Sequence, residues 1–330
     1  MLQLFKNIDL SVILIAFFYF FVFYTANFIC DLPPLSALSA HSTFITQSLY
    51  SFVDNIKFLQ HLFIIVSILW QSFALNSVVN EYKLTKKATF ITLPTAYVIA
   101  FLFIDNDHLS SFLLANNFLV PSLWFLFRCY DKKSGLSEVF NCFFLLALSS
   151  LFSISFIVYV PLFLLGLLML RGTQWRELLA ACSGFFAPFF LCFTYFFINS
   201  SASIWLSNLF QNIGLASFNI NFNVINSIAI INLVLISLFS IFNFSTLLQK
   251  TTIREQKYVQ IIFLMLLFSL LTIFTQSQFN SHSFTILFIP LSILLSINLQ
   301  SIKSNNTKEL LYLYLFLIAI ASQYGNLFFK

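Results

Sequence analysis

The sequence predicts an all-α fold, a polytopic transmembrane helical bundle of about eleven spans with the N-terminus inside and the C-terminus outside. Three observations predict it. Residues of hydrophobic type make up 60% of the chain and charged ones only 8%, against roughly 25% charged in an ordinary soluble domain. The apolar residues fall in runs of about 20, the length that crosses a hydrocarbon core. The Lys and Arg residues sit between these runs in an alternating pattern that hydropathy does not impose.

Reading with that ruler places the first span at Leu10 to Cys30, the second at Phe58 to Val79, the third at Ala88 to Ile104 and the fourth at Ser111 to Phe127. Val139 to Leu170 is an unbroken apolar run, too long for one span of about 20 residues. Ser149, Ser150, Ser153, Ser155 and Pro161 interrupt its middle, so it divides into two helices with a turn near Ser153. Leu178 to Ile198, Val224 to Phe244, Val259 to Thr275, Phe284 to Leu299 and Leu310 to Gln323 complete the set. Residues 1–330 form a single transmembrane domain.

With the N-terminus inside, every Lys and Arg except Lys57 and Lys330 falls on an inside segment. This matches the cytoplasmic bias of basic residues in inner-membrane proteins and gives the predicted localisation, a bacterial inner membrane. Without the turn near Ser153 the alternation would fail downstream. The outer loops at about 31–55 and 199–223 are long and partly apolar. Ser36 to Phe52 and Ile204 to Leu215 are expected to form helices lying at the interface. The N-terminal apolar run has no convincing cleavage site after it and reads as a retained first helix.

The net charge of +5 carries no basic stripe, so nucleic acid is not an expected partner. The five cysteines form no CxxC pair and mostly lie in apolar runs; they read as buried small hydrophobes, with no metal site. No phosphate-binding glycine loop, HExxH or nucleophile elbow occurs, and no cofactor is indicated. The spans hold almost no charge, which argues against a proton relay. Asn141, Asn226 and Asn232 are expected to hydrogen-bond between helices.

Chemistry, if present, is expected on the outer side. Asp31, Asp54, Asp105, Asp107 and His108 are the catalytic candidates: a carboxylate after the first span could act as a general base, and Asp105, Asp107 and His108 could hold a cation or position a phosphate. The same residue types are common in loops and caps. On the inner side, Arg171-Gly172-Thr173-Gln174-Trp175-Arg176 is the most motif-like segment. Trp175 reads as an interface anchor and the two arginines as helix-end charges; the alternative is that Arg171, Trp175 and Arg176 bind an anion or an anionic lipid headgroup.

Several short stretches carry a family resemblance: Leu4-Phe5-Lys6, Leu75 to Tyr82, Leu93-Pro94-Thr95-Ala96-Tyr97, Leu114 to Phe118, Ser137 to Asn141, and above all Arg171 through Phe190 with Trp175-Arg176-Glu177 and Ala187-Pro188-Phe189-Phe190. They resemble a Bacteroidota family of polytopic inner-membrane proteins whose domain has no assigned activity. The architecture is also similar, more loosely, to membrane glycosyltransferases and polysaccharide polymerases that use lipid carriers. The expected role is therefore a non-catalytic assembly or scaffold component of a membrane complex. A lipid-linked-glycan enzyme at the outer face is the alternative, and a transporter or flippase the second. Expected partners are the bilayer, other membrane proteins and, for the enzyme, a lipid-linked sugar.

Overall fold

A computed structural model describes residues 2–5, 10–29, 43–53, 56–85, 88–102, 109–132, 134–172, 174–211, 224–249, 251–274, 281–302 and 304–328. Among these every regular element is helical, so the all-α expectation holds. In chain order the α-helices are α1 (Leu10–Ile29), α2 (Phe44–Val53), α3 (Lys57–Glu81), α4 (Thr92–Leu102), α5 (Ser111–Arg128), α6 (Leu136–Phe152), α7 (Tyr159–Arg171), α8 (Trp175–Ile198), α9 (Ala202–Gln211), α10 (Val224–Phe242), α11 (Phe244–Leu248), α12 (Ile253–Phe274), α13 (Phe288–Ser301) and α14 (Asn305–Phe328). Each expected span coincides with a helix. Among the described residues, five helical stretches are long and apolar enough to cross a membrane: Phe58–Glu81, Ile154–Arg171, Trp175–Ile198, Ile253–Ile273 and Ser283–Ser301.

The break expected near Ser153 is present. Helix α6 ends at Phe152, Ser153 is extended (φ −144°, ψ 114°), and the chain resumes as a 3-10 segment, Ile154–Val158, before α7. Pro161 supplies the reason: it has no N–H to donate toward Ile157, so it is tolerated only in the first turn of a new helix. A second 3-10 segment, Ser281–Leu287, leads into α13 in the same way.

Two helices occupy the centre. All of α4 is buried, and so is α13 from Phe288 to Leu299. With 11 residues, α4 is about 16 Å long, half of a hydrocarbon core of about 30 Å. Its flanks are filled by rings. Phe20 and Phe23 of α1 lie 5.6 and 5.0 Å from Phe101, and Phe23 lies 5.1 Å from Phe316 of α14. Hydrogen bonds join the same helices: Ser322 and Gln323 both donate to the Phe101 carbonyl at 3.0 and 2.8 Å. Where hydrocarbon surrounds a bundle, close packing and such bonds replace the hydrophobic drive between helices.

Helix α8 lies at the edge, with α6 as its main neighbour. The crossing is tight at Gly184. A Cβ there would lie 2.5 Å from the Phe140 carbonyl oxygen, which is backbone and cannot rotate away. Pro188, one turn on, removes the N–H that would have bonded the Gly184 carbonyl. At the far end α9 folds back, and its Trp205, 4% exposed, stacks on Phe196 at 5.7 Å.

Gly184→Ala is expected to lower the stability of the purified protein by about 1–3 kcal/mol, the usual range for overpacking. A detergent unfolding series on wild type, Gly184→Ala and Gly184→Leu checks it, with the leucine variant the worst.

Candidate functional site

The charged residues gather at one end of the bundle because the helix ends that carry them are tied together there. Trp124 Nε1 of α5 donates to Glu81 Oε2 at the end of α3 (2.6 Å), and the Tyr82 hydroxyl donates to the Trp124 carbonyl (3.1 Å). Asn80 and Thr89 exchange hydrogen bonds at 3.1 Å across the turn between α3 and α4. Gln300 of α13 reaches the Thr89 hydroxyl at 2.9 Å, and the Phe90 N–H bonds the Phe5 carbonyl at 2.9 Å. The Tyr258 hydroxyl of α12 donates to the Phe127 carbonyl at 3.4 Å.

Arg171 is the central tie. Its Nε meets Glu177 Oε1 at 2.8 Å, and its Nη1 donates to the Cys129 and Lys132 carbonyls at 2.6 Å each. One guanidinium thus joins the end of α7, the chain after α5 and the start of α8. The start of α6 closes over it, since a Cβ on Gly135 would lie 2.7 Å from Nη1. The Arg171 and Glu177 side chains are 9% and 2% exposed. Gly172 makes the pairing possible: its φ of 82° and ψ of −169° belong to a region essentially restricted to glycine, and this turns the chain so that the first turn of α8 faces back.

This geometry separates the three inner residues that an anion site, the alternative to interface anchoring, would bring together. Arg171 points inward. Trp175 is 82% exposed and Arg176 is exposed beside it. The outer candidates Asp31, Asp54, Asp105, Asp107 and His108 lie outside the described residues. Among the described residues no group of three His, Cys, Asp or Glu side chains could hold a metal.

Two perturbed groups mark the charged end. Burial pushes the Cys129 thiol up to about 12, with the Arg171 charge opposing it only in part. At Glu138 burial works against ionisation, but bonds from Ser137 and its own backbone N–H, with the nearby Lys132 and Arg128 charges, outweigh it and lower its pKa. Lys132 Nζ is 3.8 Å from Glu138 Oε1.

Sequence reasoning missed a second polar group, inside the bundle. Gln71 of α3 donates to the Leu113 carbonyl and to Asn117 Oδ1, both at 2.8 Å, and Asn117 donates to Ser67 Oγ at 3.0 Å. Asn116 donates to the Thr285 carbonyl at 2.9 Å, in the 3-10 segment before α13. Of the expected asparagine bridges, Asn232 accepts from the Tyr314 hydroxyl at 3.0 Å and joins α10 to α14. Asn141 is exposed, and the Asn226 side chain lies outside the described set.

No family model, no curated protein and no solved structure matches the chain.

Arg171→Ala strands Glu177 as a buried charge and is expected to cost roughly 3–5 kcal/mol. The double variant Arg171→Met, Glu177→Gln, with no charge left to bury, is expected to regain part of that loss in a thermodynamic cycle. For Cys129 the sign follows from its raised pKa. The neutral thiol is the form the fold buries, so its contribution is full below the unfolded value near 9 and is lost as pH rises toward about 12. At pH 8.5 a maleimide is expected to label the exposed Cys182 in folded protein and to reach Cys129 only after denaturation, read by peptide mass spectrometry.

Proposed function

We propose that this chain is a multi-pass protein of a bacterial inner membrane, with about eleven spans, N-terminus inside and C-terminus outside, that serves as a non-catalytic assembly or scaffold component of a membrane complex. The gathering of basic helix ends at one pole supports the orientation, because the cytoplasmic face collects Lys and Arg. The two short helices α2 and α9 fall where the outer interfacial segments are expected.

The observation that carries the scaffold reading is the outer face of α8. Leu179, Phe186, Phe190 and Phe197 are 65%, 66%, 66% and 67% exposed, and they follow each other at helical spacing along one stripe. Cys182 and Ser183, both exposed, sit between Leu179 and Phe186. They make a notch of small side chains of the kind that admits a neighbouring helix. Arg171 and Gly184 hold α8 firmly against the rest at its start and middle, so the flank is presented on a fixed support.

One feature favours a second reading, a transporter or flippase. Two helices enter the bundle as 3-10 segments before continuing as α-helix. Interrupted helices are how many transporters build their binding sites.

Photo-crosslinking residues placed at Phe186 and, as a control, at Ile231 on the exposed face of α10 test the scaffold. A discrete protein adduct from Phe186 alone is the expected result in cells. Lipid adducts from both positions would sink the reading. A change in surface glycans on deletion, reproduced by Asn at Asp31, Asp54, Asp105 or Asp107 at normal abundance, would replace it with the enzyme.

A further inference from the structure

Asn141 is an amide that the fold leaves facing out of the bundle. Its side chain, on the apolar helix α6, is exposed and makes no hydrogen bond among the described residues. Asn116, Asn117 and Asn232 each bond a neighbouring helix or segment. The exposed hydroxyls of Ser77 and Ser183 donate to carbonyls of their own helices at 2.7 and 3.0 Å. The depth of Asn141 follows from the tight crossing. Helices α6 and α8 both run away from the Arg171 tie, and the Phe140 backbone lies against Gly184, so Asn141 is level with Phe185. Phe185 is ten residues, about 15 Å, beyond Trp175. On the membrane reading Trp175, 82% exposed, sits at the inner interface, and 15 Å is about half of a hydrocarbon core. No water reaches an amide there, and an unbonded amide in hydrocarbon is costly.

We propose that the α6–α8 flank is the interface of a homodimer, in which Asn141 of one copy hydrogen-bonds Asn141 of the other across a two-fold axis along the membrane normal. An amide carries donors and an acceptor, so it is its own complement, and a two-fold axis sets the same patch on both sides. Depth decides between a second copy and another protein. Two copies inserted in one orientation hold Asn141 at the same depth without further requirement, whereas a foreign helix must bring a polar group to that level by its own sequence. A single buried asparagine pair fixes the register of parallel helices in the same way. The surface around it fits. Helix α8 is the barest of the five candidate spans, with 22% of its apolar window buried against 50% or more in the others. Ser183, exposed and two residues from the level of Asn141, lets a neighbouring helix come close. The like charges of Arg176 do not oppose the pairing. Arg176 lies nine residues, about 13 Å, nearer the inner end than Phe185, where water and salt screen it. The proposal rests on the membrane and scaffold readings, since it names what occupies the α8 flank.

The test is a fluorescence-transfer dilution series of the full chain in vesicles of phosphatidylethanolamine and phosphatidylglycerol. Wild type is expected to pass from monomer to dimer as the protein-to-lipid ratio rises. Asn141→Leu sets an apolar side chain on a lipid-facing surface, so the fold is kept. It is expected to weaken the dimer about 3- to 30-fold, the effect of losing one hydrogen bond between helices in a membrane. Disulfide cross-linking in membranes checks the geometry while Asn141 stays in place. Leu145→Cys, one turn from Asn141, in a chain with Cys30, Cys182 and Cys192 replaced by serine, is expected to cross-link to its twin under copper–phenanthroline. Ile231→Cys on the exposed face of α10 is not. The proposal is overturned if the chain stays monomeric across the series, if Asn141→Leu dimerises like wild type, or if Ile231→Cys cross-links as readily as Leu145→Cys. The photo-crosslinker at Phe186 separates this failure from that of the scaffold. An adduct with a different protein removes the homodimer and keeps the scaffold, and no protein adduct removes both.

Discussion

The structure depends on the burial of one guanidinium. An arginine taken out of water needs its donors satisfied, or the cost is several kcal/mol. Arg171 meets that demand with Glu177 and two carbonyls drawn from the chain after α5. Those partners come from separate helices, so satisfying the charge fixes where α5, α6, α7 and α8 end relative to one another. The tight crossing at Gly184 then follows: α6 and α8 both start at the Arg171 tie, and side-chain size farther along decides how closely they stay together.

Much of this was legible in the residues. The apolar runs located each helix, and Pro161 with its neighbouring serines located the break at Ser153. Both signals act within a few residues, through hydropathy and through the missing proline N–H. The inner motif was legible in part: Trp175 is exposed as an interface anchor would be, whereas the alternative, one anion site of Arg171, Trp175 and Arg176, leaves out the inward turn of Arg171 toward Glu177. Successive residues on a helix point about 100° apart, so Trp175, Arg176 and Glu177 cannot share a face. Glu177 is the one turned inward, and the signal that could have found it is a carboxylate six positions after an arginine across a glycine.

The bundle interior was harder to read because its polar contacts span long separations. Gln71 finds Asn117 and Leu113, and Asn116 finds Thr285. None of these pairs has a local signature, and each residue alone looks like ordinary polar content of a span. The depth of α4 was also hidden. Its apolar content does not single it out, since α1 is more apolar still, and only the packing of α1, α3, α13 and α14 around it shows how fully it is enclosed.

A 3-10 segment, an α-helix and, after a short turn, a 24-residue helix occur twice: once ending in α8 and once in α14. The chemistry of the two turns differs, and so does the packing. The first turn is clamped by the Arg171–Glu177 pair and sends α8 along α6 to the edge. The second has Gln300 reaching across to Thr89 and sends α14 against α1, α4 and α10. Similar element lengths therefore do not produce similar surroundings. The buried ion pair holds its helix rigidly while leaving the helix flank bare, whereas contact with α4 buries α14 more deeply. That contrast explains how one chain can keep a closed centre and still present a long apolar face, with its positive charges collected at the pole where that face begins.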